Sequence, residues 1–248
     1  MANYIANFYV VGTPIGNLED ISLRALRVLG EVDLVLCEDT RVTKRLFDKH
    51  AISTPTMSYH AHSTLSKIET VIEMLSSGKN IALVSDAGTP GVSDPGSLLV
   101  SKIREALGET VKIESVPGPS ALTAALSIAG FPVSDFVFLG FLPHKKGRET
   151  LFKEITASDR LIIFYESPHR LMKTLESLAK HLGADADENP RIVIVARELT
   201  KIFEELNRGS AAELLSFFNK YPDKVRGEFV VMVEGAQNSA KKRYNSSL

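Results

Sequence analysis

The chain alternates short apolar runs with amphipathic segments along nearly its whole length, and this order predicts strands that alternate with helices. Such alternation is typical of parallel sheets with helices on both faces, so the fold class that we expect is α/β, with two α/β domains built on mostly parallel sheets. The predicted strands are Phe8–Val11, Asp33–Asp39, Thr56–His60, Ile81–Ser85, Val111–Val116, Phe136–Phe141, Leu161–Tyr165, Ile192–Ala196 and Phe229–Val233, with a further strand considered at Ile202–Leu206. The predicted helices are Ile21–Gly30 with Asp20 as its N-cap, Thr40–His50, Leu65–Leu75, Gly96–Leu107, Ala121–Ala129, Arg148–Ile155, Leu171–His181 and Ala211–Tyr221.

The length of 248 residues suits one large or two small domains. The strand–helix rhythm loosens where Gly, Pro and Ser cluster at residues 130–135, which indicates a boundary in that part of the chain. We assign residues 1–120 to an N-terminal α/β domain with Gly/Pro-rich loops and residues 121–236 to a C-terminal α/β domain. Residues 237–248 lack an apolar pattern and are predicted to form a mobile tail.

Charge and composition exclude several classes of protein. The net charge of −1 gives no overall basic field, so any contact with a polyanion must come from local clusters of basic residues. Cys37 is the single cysteine, so an internal disulfide is impossible, which fits a reducing compartment. The N-terminus does not resemble a signal peptide, and no apolar run approaches the length of a membrane helix. We therefore expect a soluble, cytoplasmic protein without a membrane partner.

Three loops rich in small residues follow predicted strands in the first half. They are residues 12–17, residues 85–96 and residues 117–120. Ligands of parallel α/β sheets bind outside the carboxyl ends of the strands, and small residues let the backbone come close to a ligand. The chain has neither the G-x-G-x-x-G pattern of dinucleotide sites nor a P-loop. Asp86 and Asp94 would repel pyrophosphate, so a cofactor with little phosphate and some positive charge suits these loops better.

Six motifs together resemble the tetrapyrrole methylase superfamily, and within it the branch that methylates the 2′-hydroxyl of a cytidine ribose in 16S ribosomal RNA. The motifs are G-T-P-I-G-N-L-E-D-I-S-x-R, E-D-T-R, S-D-A-G-T-P-G-V-S-D-P-G, V-P-G-P-S-A, F-Y-E-S-P-H-R and R-E-L-T-K. They occur in the expected order between residue 8 and about residue 235. The resemblance implies S-adenosylmethionine as methyl donor in a cleft between two α/β domains, a homodimer, and 16S ribosomal RNA as partner, in the small ribosomal subunit.

The resemblance also implies which residues bind the cofactor. From the N-terminal domain these are Pro14, Ile15, Asp86, Ala87, Gly88, Thr89, Gly91, Val92, Pro117, Gly118 and Ser120, and from the C-terminal domain Phe164, Tyr165, Ala196, Glu228 and Phe229. A sulfonium methyl group is already activated, so no metal is expected. The pair of His60 and His62 lacks an accompanying Cys or acidic cluster, and we interpret it as a packed or exposed pair.

A ribose hydroxyl needs a base to accept its proton, and carboxylates near strand ends are the candidates. Glu38, Asp39, Glu166 and Glu198 occupy such positions, and the prediction for the base is Asp39 or Glu166. Arg197 is predicted to join them in catalysis by orienting the ribose or a phosphate. The predicted RNA-binding residues are Arg41, Lys44, Arg45, Lys145, Lys146, Arg148 and Arg170.

Two other functions remain open at this point. A methylase of a small corrin-type tetrapyrrole would want a wide apolar cleft and no basic loop, whereas residues 143–148 read P-H-K-K-G-R. A non-catalytic ribosome-assembly factor would keep the same loops and bind without turnover.

Overall fold

The computed structural model describes residues 4–60, 65–94, 96–131, 134–183 and 190–236. Contacts within the chain divide it into two compact units, Met1–Ala121 and Leu122–Leu248. The predicted tail at residues 237–248 lies outside the described residues, and so does His62 of the predicted histidine pair. None of the helices in these described ranges combines the length and the apolar character that crossing a bilayer requires.

The first unit is built on a five-stranded sheet in which every pairing is parallel. Its strands are β1 (Ala6–Val11), β2 (Leu34–Cys37), β3 (Thr56–Ser58), β4 (Ile81–Leu83) and β5 (Val111–Val116), in the order β3-β2-β4-β1-β5. Its helices are α1 (Leu23–Glu31), α2 (Thr40–His50), α3 (Leu65–Ser76) and α4 (Gly96–Leu107). The parallel α/β architecture predicted for this half of the chain is confirmed.

Short polar side chains fix where α1 and α2 begin. The Ser22 hydroxyl caps α1 by accepting a hydrogen bond from the Ala25 amide at 3.1 Å. The predicted N-cap Asp20 was wrong, because residues 18–20 form a separate turn of 3-10 helix before Ser22. The Asp39 carboxylate caps α2 by accepting a hydrogen bond from the Arg41 amide at 2.8 Å. Each cap satisfies an amide that would otherwise lack a partner in the first turn.

The two faces of the first sheet carry separate apolar layers, because successive side chains of a strand point to opposite faces. Phe8 and Ile81 belong to a buried cluster with α3 and α4. Val35 and Ala82 belong to a second cluster with α1 and α2. Cys37 lies in this second cluster with no exposed surface, as predicted for a strand thiol, and burial raises the pKa of the thiol.

The second unit contains a five-stranded sheet in the order β6-β7-β10-β8-β9. Its strands are β6 (Phe136–Phe141), β7 (Leu161–Glu166), β8 (Val193–Arg197), β9 (Glu205–Gly209) and β10 (Phe229–Val233). Its helices are α6 (Arg148–Ala157), α7 (Pro168–Leu182) and α8 (Ala211–Lys220), while α5 (Ala121–Ala129) begins at the division between the units.

This second sheet is mixed, which corrects the expectation of a mostly parallel sheet in the C-terminal half. β6 and β7 are parallel, but β10 is antiparallel to both β7 and β8, and β9 is antiparallel to β8. The turn between β8 and β9 is too short for a crossover helix, so these two strands form a hairpin. The strand considered at Ile202–Leu206 starts later, because Glu198 and Thr200 have φ angles of 51° and 66° and residues 198–204 form turns.

The helices α6, α7 and α8 pack in one apolar cluster on the second sheet. The cluster contains Phe152 of α6, Leu175 of α7 and Phe218 of α8, together with Phe164 of β7 and Val231 of β10. All three helices therefore contact the same face of the sheet. In the first unit, the two apolar clusters place helices on both faces of the sheet, as predicted.

Candidate active site

The topology of the first sheet creates a crevice at the carboxyl ends of β1 and β4. These neighbouring strands connect in opposite directions, since β1 leads to β2 on one side and β4 leads to β5 on the other. Such a switch in direction is where ligands of open α/β sheets bind. The three loops singled out in the sequence follow β1, β4 and β5, so the structure brings all of them to this edge.

The loops after β1 and β4 are joined by backbone pairing. The Thr13 amide donates to the Gly88 carbonyl at 2.8 Å, and the Gly88 amide donates to the Thr13 carbonyl at 3.1 Å. The buried Thr13 hydroxyl donates to the Ser85 carbonyl at 3.1 Å. Gly88 has a φ of 82°, which favours glycine at this position. Its neighbours Asp86 and Ala87 remain exposed at the edge.

The loops after β1 and β5 touch through two glycines. A Cβ added at Gly12 would lie 2.7 Å from the Gly118 Cα, and one added at Gly118 would lie 2.7 Å from the Gly12 carbonyl oxygen. These glycines therefore allow two backbones to approach each other, which the sequence alone had attributed to a ligand. The loop after β4 is connected to the loop after β5 as well, because the Thr89 hydroxyl donates to the Pro119 carbonyl at 3.2 Å.

The predicted cofactor residues of the first unit all lie in these coupled loops, with different exposure. Pro14 and Gly88 are buried, whereas Asp86, Ala87, Gly91, Val92, Pro117 and Gly118 are exposed and Ile15, Thr89 and Ser120 are half-buried. The Asp94 carboxylate accepts hydrogen bonds from the amides of Gly91 at 2.6 Å and Gly96 at 3.1 Å, and so shapes the loop from within.

Carboxylates gather at the same edge, directly after β2. The Asp86 side chain accepts a hydrogen bond from the Asp39 amide at 2.9 Å. Burial raises the pKa of the Glu38 carboxyl, and the negative charges of Asp86 and Asp94 raise it further. A carboxyl with a raised pKa in a crevice is a candidate acid or base, and Glu38 has this property while the predicted base Asp39 does not.

Asp39 is held by Arg41. The Arg41 guanidinium forms an ion pair with the Asp39 carboxylate at 2.5 Å, and hydrogen bonds from the side chain and backbone of Arg41 lower the pKa of Asp39 to about 2. Asp39 is therefore a weak proton acceptor in this arrangement. The Arg41 side chain itself is 87% exposed, so it is open to contact with a further anion.

The predicted base Glu166 lies in a buried network of the second unit. Its side chain has no exposed surface and forms an ion pair with Arg170 at 2.8 Å. It also accepts hydrogen bonds from the Thr174 hydroxyl at 2.6 Å and from the Ser167 amide at 2.8 Å. These contacts hold the Glu166 carboxylate at the start of α7.

Two predicted RNA-binding arginines belong to the same network. Arg170 donates to the Leu142 carbonyl at 2.6 Å. Arg148 donates to the Pro143 carbonyl at 3.2 Å and to the Thr174 hydroxyl at 2.7 Å. Both guanidinium groups therefore hold the start of the loop at residues 142–147.

Arg197, predicted to orient the substrate, holds the loops around the β8–β9 hairpin. It donates to the Arg226 carbonyl at 2.9 Å and lies 3.7 Å from a Glu205 carboxylate oxygen. Only 11% of its side chain is exposed. A cavity of about 620 Å³ lies beside it, lined in part by Phe203 and Lys224. Arg197 therefore holds the backbone of this loop and also lines the cavity.

The predicted cofactor residues of the second unit meet at one edge of its sheet. Phe229 pairs with Glu166 on one side and with Arg197 on the other, so the ends of β7 and β8 flank the start of β10. The side chains of Phe164 and Phe229 lie in the apolar core, which leaves only their backbone groups for a ligand. Tyr165 is half-buried, Ala196 is buried and Glu228 is exposed.

The remaining predicted RNA contacts are exposed cations. Lys44 and Arg45 lie on α2, where Lys44 pairs with Asp48 at 3.1 Å. Lys145 and Lys146 are exposed in the loop before α6, and no ion pair in the described part of the chain includes either of them. No group of three or more metal-ligating side chains occurs among the residues that were described.

Comparison with known proteins gives concordant results. The family profile "Tetrapyrrole (Corrin/Porphyrin) Methylases" matches residues 7–215. Ribosomal RNA small subunit methyltransferase I of Thermotoga maritima is 45% identical over 228 residues, which cover 92% of this chain and 98% of that protein. The protein of the same name from Bacillus subtilis is 44% identical over 231 residues, which cover 93% of this chain and 75% of that protein.

Solved structures share the fold at lower identity. A cobalt precorrin-4 methyltransferase from cobalamin biosynthesis has a TM-score of 0.64 and 18% identity, covering 94% of this chain and 96% of that chain. Diphthine synthase has a TM-score of 0.65 and 16% identity, covering 92% of this chain and 90% of that chain. The extent of the family match and the identity to the curated relatives lead to one conclusion: the chain belongs to the tetrapyrrole (corrin/porphyrin) methylase family, in the branch of its ribosomal RNA small subunit methyltransferase I relatives.

Proposed function

We propose that this methyltransferase transfers the methyl group of S-adenosylmethionine to small-subunit ribosomal RNA, at the 2′-hydroxyl of a cytidine ribose. The identity of 45% to ribosomal RNA small subunit methyltransferase I over nearly its whole length supports the RNA substrate. The methyl donor follows from membership of a methylase family. The ribose position and the cytidine rest on the motif resemblance. A cytoplasmic homodimer is part of the same proposal.

The observation that carries this proposal is the coupling of three loops at the switch point of the first sheet. The pairs Thr13–Gly88 and Gly12–Gly118 fix the loops against one another, so the exposed backbone around Asp86 and Ala87 is held in one conformation. A rigid site loses little entropy when a ligand binds. The nearby carboxylates disfavour phosphate and favour the positive charge of a sulfonium nucleoside.

The loops after β1, β4 and β5 would hold the cofactor. The residues that would contact it are Pro14 and Ile15 after β1, residues 86–92 after β4, and Pro117, Gly118 and Ser120 after β5. When bound, S-adenosylmethionine supplies a methyl group that is already activated for attack by an oxygen nucleophile. The chain must then align the ribose hydroxyl with the methyl–sulfur bond and accept the hydroxyl proton. Alignment alone can contribute much of the rate enhancement.

We assign the role of proton acceptor to Glu38 in preference to Asp39. Its raised pKa brings it closer to the working pH, and the efficiency of a general base increases in that direction. Asp39 with a pKa of about 2 is better suited to hold Arg41 at the start of α2. The exposed Arg41 guanidinium is in turn suited to bind a phosphate of the RNA backbone.

Nucleoside analysis of 16S ribosomal RNA by mass spectrometry tests the proposal. Cells that lack the gene should lose one 2′-O-methylated cytidine, and the purified enzyme with S-adenosylmethionine should restore it to their small subunits. Transfer of labelled methyl to a corrinoid but not to RNA would favour the small-molecule alternative. Binding of both ligands without any transfer would favour a non-catalytic assembly factor.

A further inference from the structure

Beyond the cofactor loops, the second unit presents an aromatic cluster at the end of β6. The Phe141 ring lies 5.5 Å from the Tyr165 ring in an edge-to-face arrangement, and the Phe138 ring lies 4.9 Å from Tyr165 on the same face. Phe141 is 56% exposed, although aromatic side chains normally bury most of their surface. The Phe141 ring is therefore supported by neighbouring rings while about half of its surface stays open to a planar ligand.

A β-bulge creates this arrangement. Phe138 pairs with Ile163 and Phe141 pairs with Tyr165, so three steps along β6 match two along β7. Residues three apart in a regular strand point to opposite faces, whereas the bulge turns both phenylalanines to one face. Gly140, with a φ of 61°, supplies the backbone conformation that the bulge needs.

The buried network holds Phe141 in place. Arg170 and Arg148 donate to the carbonyls of Leu142 and Pro143, the two residues that follow Phe141. Arg170 is fixed in turn by its ion pair with Glu166 at 2.8 Å. Glu166, Arg170 and Arg148, which the sequence predicts for catalysis and RNA contact, therefore support this aromatic surface.

The charge next to the ring indicates which ligand it binds. Lys145 and Lys146 follow four and five positions after Phe141, are exposed, and take part in no ion pair among the described residues. Exposed aromatic rings beside cations without ion-pair partners are typical of sites that bind single-stranded nucleic acid. In such sites the bases stack on the rings and the phosphates contact basic side chains. The core of a protein–protein interface is instead depleted of lysine.

We propose that Phe141 is a stacking platform for an unpaired base of the RNA substrate, with Lys145 and Lys146 contacting the adjoining phosphates. This inference rests on the proposed function, and it specifies the substrate as RNA with at least one unstacked base. Proteins that recognise RNA sequence commonly bind such unstacked bases, because an aromatic side chain can stack on the exposed face of the base.

Tryptophan fluorescence provides a direct test, since the chain has no tryptophan. In Phe141→Trp, addition of an oligocytidylate of about ten nucleotides at low salt should quench the emission, because the base stacks on the indole. Phe136→Trp is the matched control: this exposed residue starts the same strand, and its emission should not change. The RNA concentration must be one at which fluorescence anisotropy of labelled RNA shows that binding is saturated. If the emission of Phe141→Trp is unchanged there, the proposal is overturned.

A second variant measures the contribution to affinity. Phe141→Ala should weaken RNA binding by about tenfold, within the range for losing one stacked base, and Phe141→Tyr should restore it. Equal affinities for Phe141→Ala and wild type would contradict the platform. The platform would also be contradicted if the wild-type protein sediments as a dimer and Phe141→Ala as a monomer. The Phe141 ring would then contact a second copy of the chain.

The outcomes separate this inference from the proposed function. If the wild-type enzyme methylates small-subunit RNA but Phe141→Trp shows no quenching, only the platform is wrong. If the wild-type enzyme transfers no methyl group to RNA, the proposed function fails irrespective of the fluorescence.

Discussion

Single residues at the edge of the first sheet decide whether the three loops can meet. Gly12 and Gly118 have no room for a side chain, because each lies against the backbone of the other. The sequence predicted that these loops gather at one edge, but it could not predict this contact, since the two residues are far apart in the chain. The same holds for Glu38, because its pKa is raised first by burial in the fold and then by the charges of Asp86 and Asp94 in the loop after β4.

Gly118→Ala tests this contact. The added methyl group would meet the Gly12 carbonyl oxygen at 2.7 Å, so we expect a loss of about 2 kcal/mol in the free energy of unfolding and at least a tenfold loss of S-adenosylmethionine affinity. Urea denaturation and calorimetry measure the two effects. Gly30→Ala is the control, because a Cβ there has nothing within 4 Å, and it should leave both quantities at or slightly above the wild-type values.

The pair of Asp39 and Arg41 gives a prediction about pH. Because the folded-state pKa of about 2 lies below the ordinary value of 3.8, this carboxylate stabilises the fold above pH 3.8, and the contribution is lost as the pH falls towards 2. In Arg41→Gln the pKa of Asp39 should rise towards its ordinary value, as measured by carboxyl-carbon NMR. An unchanged Asp39 titration in this variant would show that Arg41 is not the cause.

The assignment of Glu38 as the base predicts a distinct kinetic result. Glu38→Gln should lower the rate of methyl transfer about a hundredfold and remove the decline of activity at acidic pH, because an amide that does not titrate replaces the carboxylate that accepts the proton. Single-turnover rates at several pH values measure this. Asp39→Asn should keep the acidic decline of the wild type, and the opposite pattern in the two variants would return the assignment to Asp39.

At the scale of elements, local signals predicted most helices and strands, while connectivity needed the structure. The bounds of α2, α4, β5 and β10 agree with the sequence, because caps and glycines mark their ends. The direction of β10 did not follow from the sequence, since an apolar run looks the same in a parallel and an antiparallel pair. The late start of β9 depends on the turns at residues 198–204.

The loop between β6 and α6 gives a prediction at this scale. Replacing Lys145 and Lys146 by glutamine should reduce the slope of log affinity against log salt by about 1.4 for single-stranded RNA, because two phosphate contacts are lost. Lys180→Gln, an exposed lysine on α7, is the control and should leave the slope unchanged. If the double variant keeps the wild-type slope, the loop does not contact RNA.

The network that begins α7 gives a prediction about stability. Glu166→Gln leaves the guanidinium of Arg170 without its counter-charge, and Arg170 is only 14% exposed, so we expect a loss of about 3 kcal/mol in the free energy of unfolding. Chemical denaturation measures it. Glu149→Gln, which removes an exposed carboxylate beside His181, should change stability by less than about 1 kcal/mol. Equal effects of the two substitutions would mean that the buried network is not structural.

At the scale of the whole molecule, the fold and the family membership lead to methyl transfer, while the individual side chains determine how it proceeds. The central claim is that the loops after β1, β4 and β5 bind a sulfonium nucleoside. Isothermal titration calorimetry of the purified protein with S-adenosylmethionine, and with its demethylated product, tests this claim most directly. The account predicts saturable binding of both ligands with one site per chain, and the absence of binding heat for both at several temperatures would contradict it.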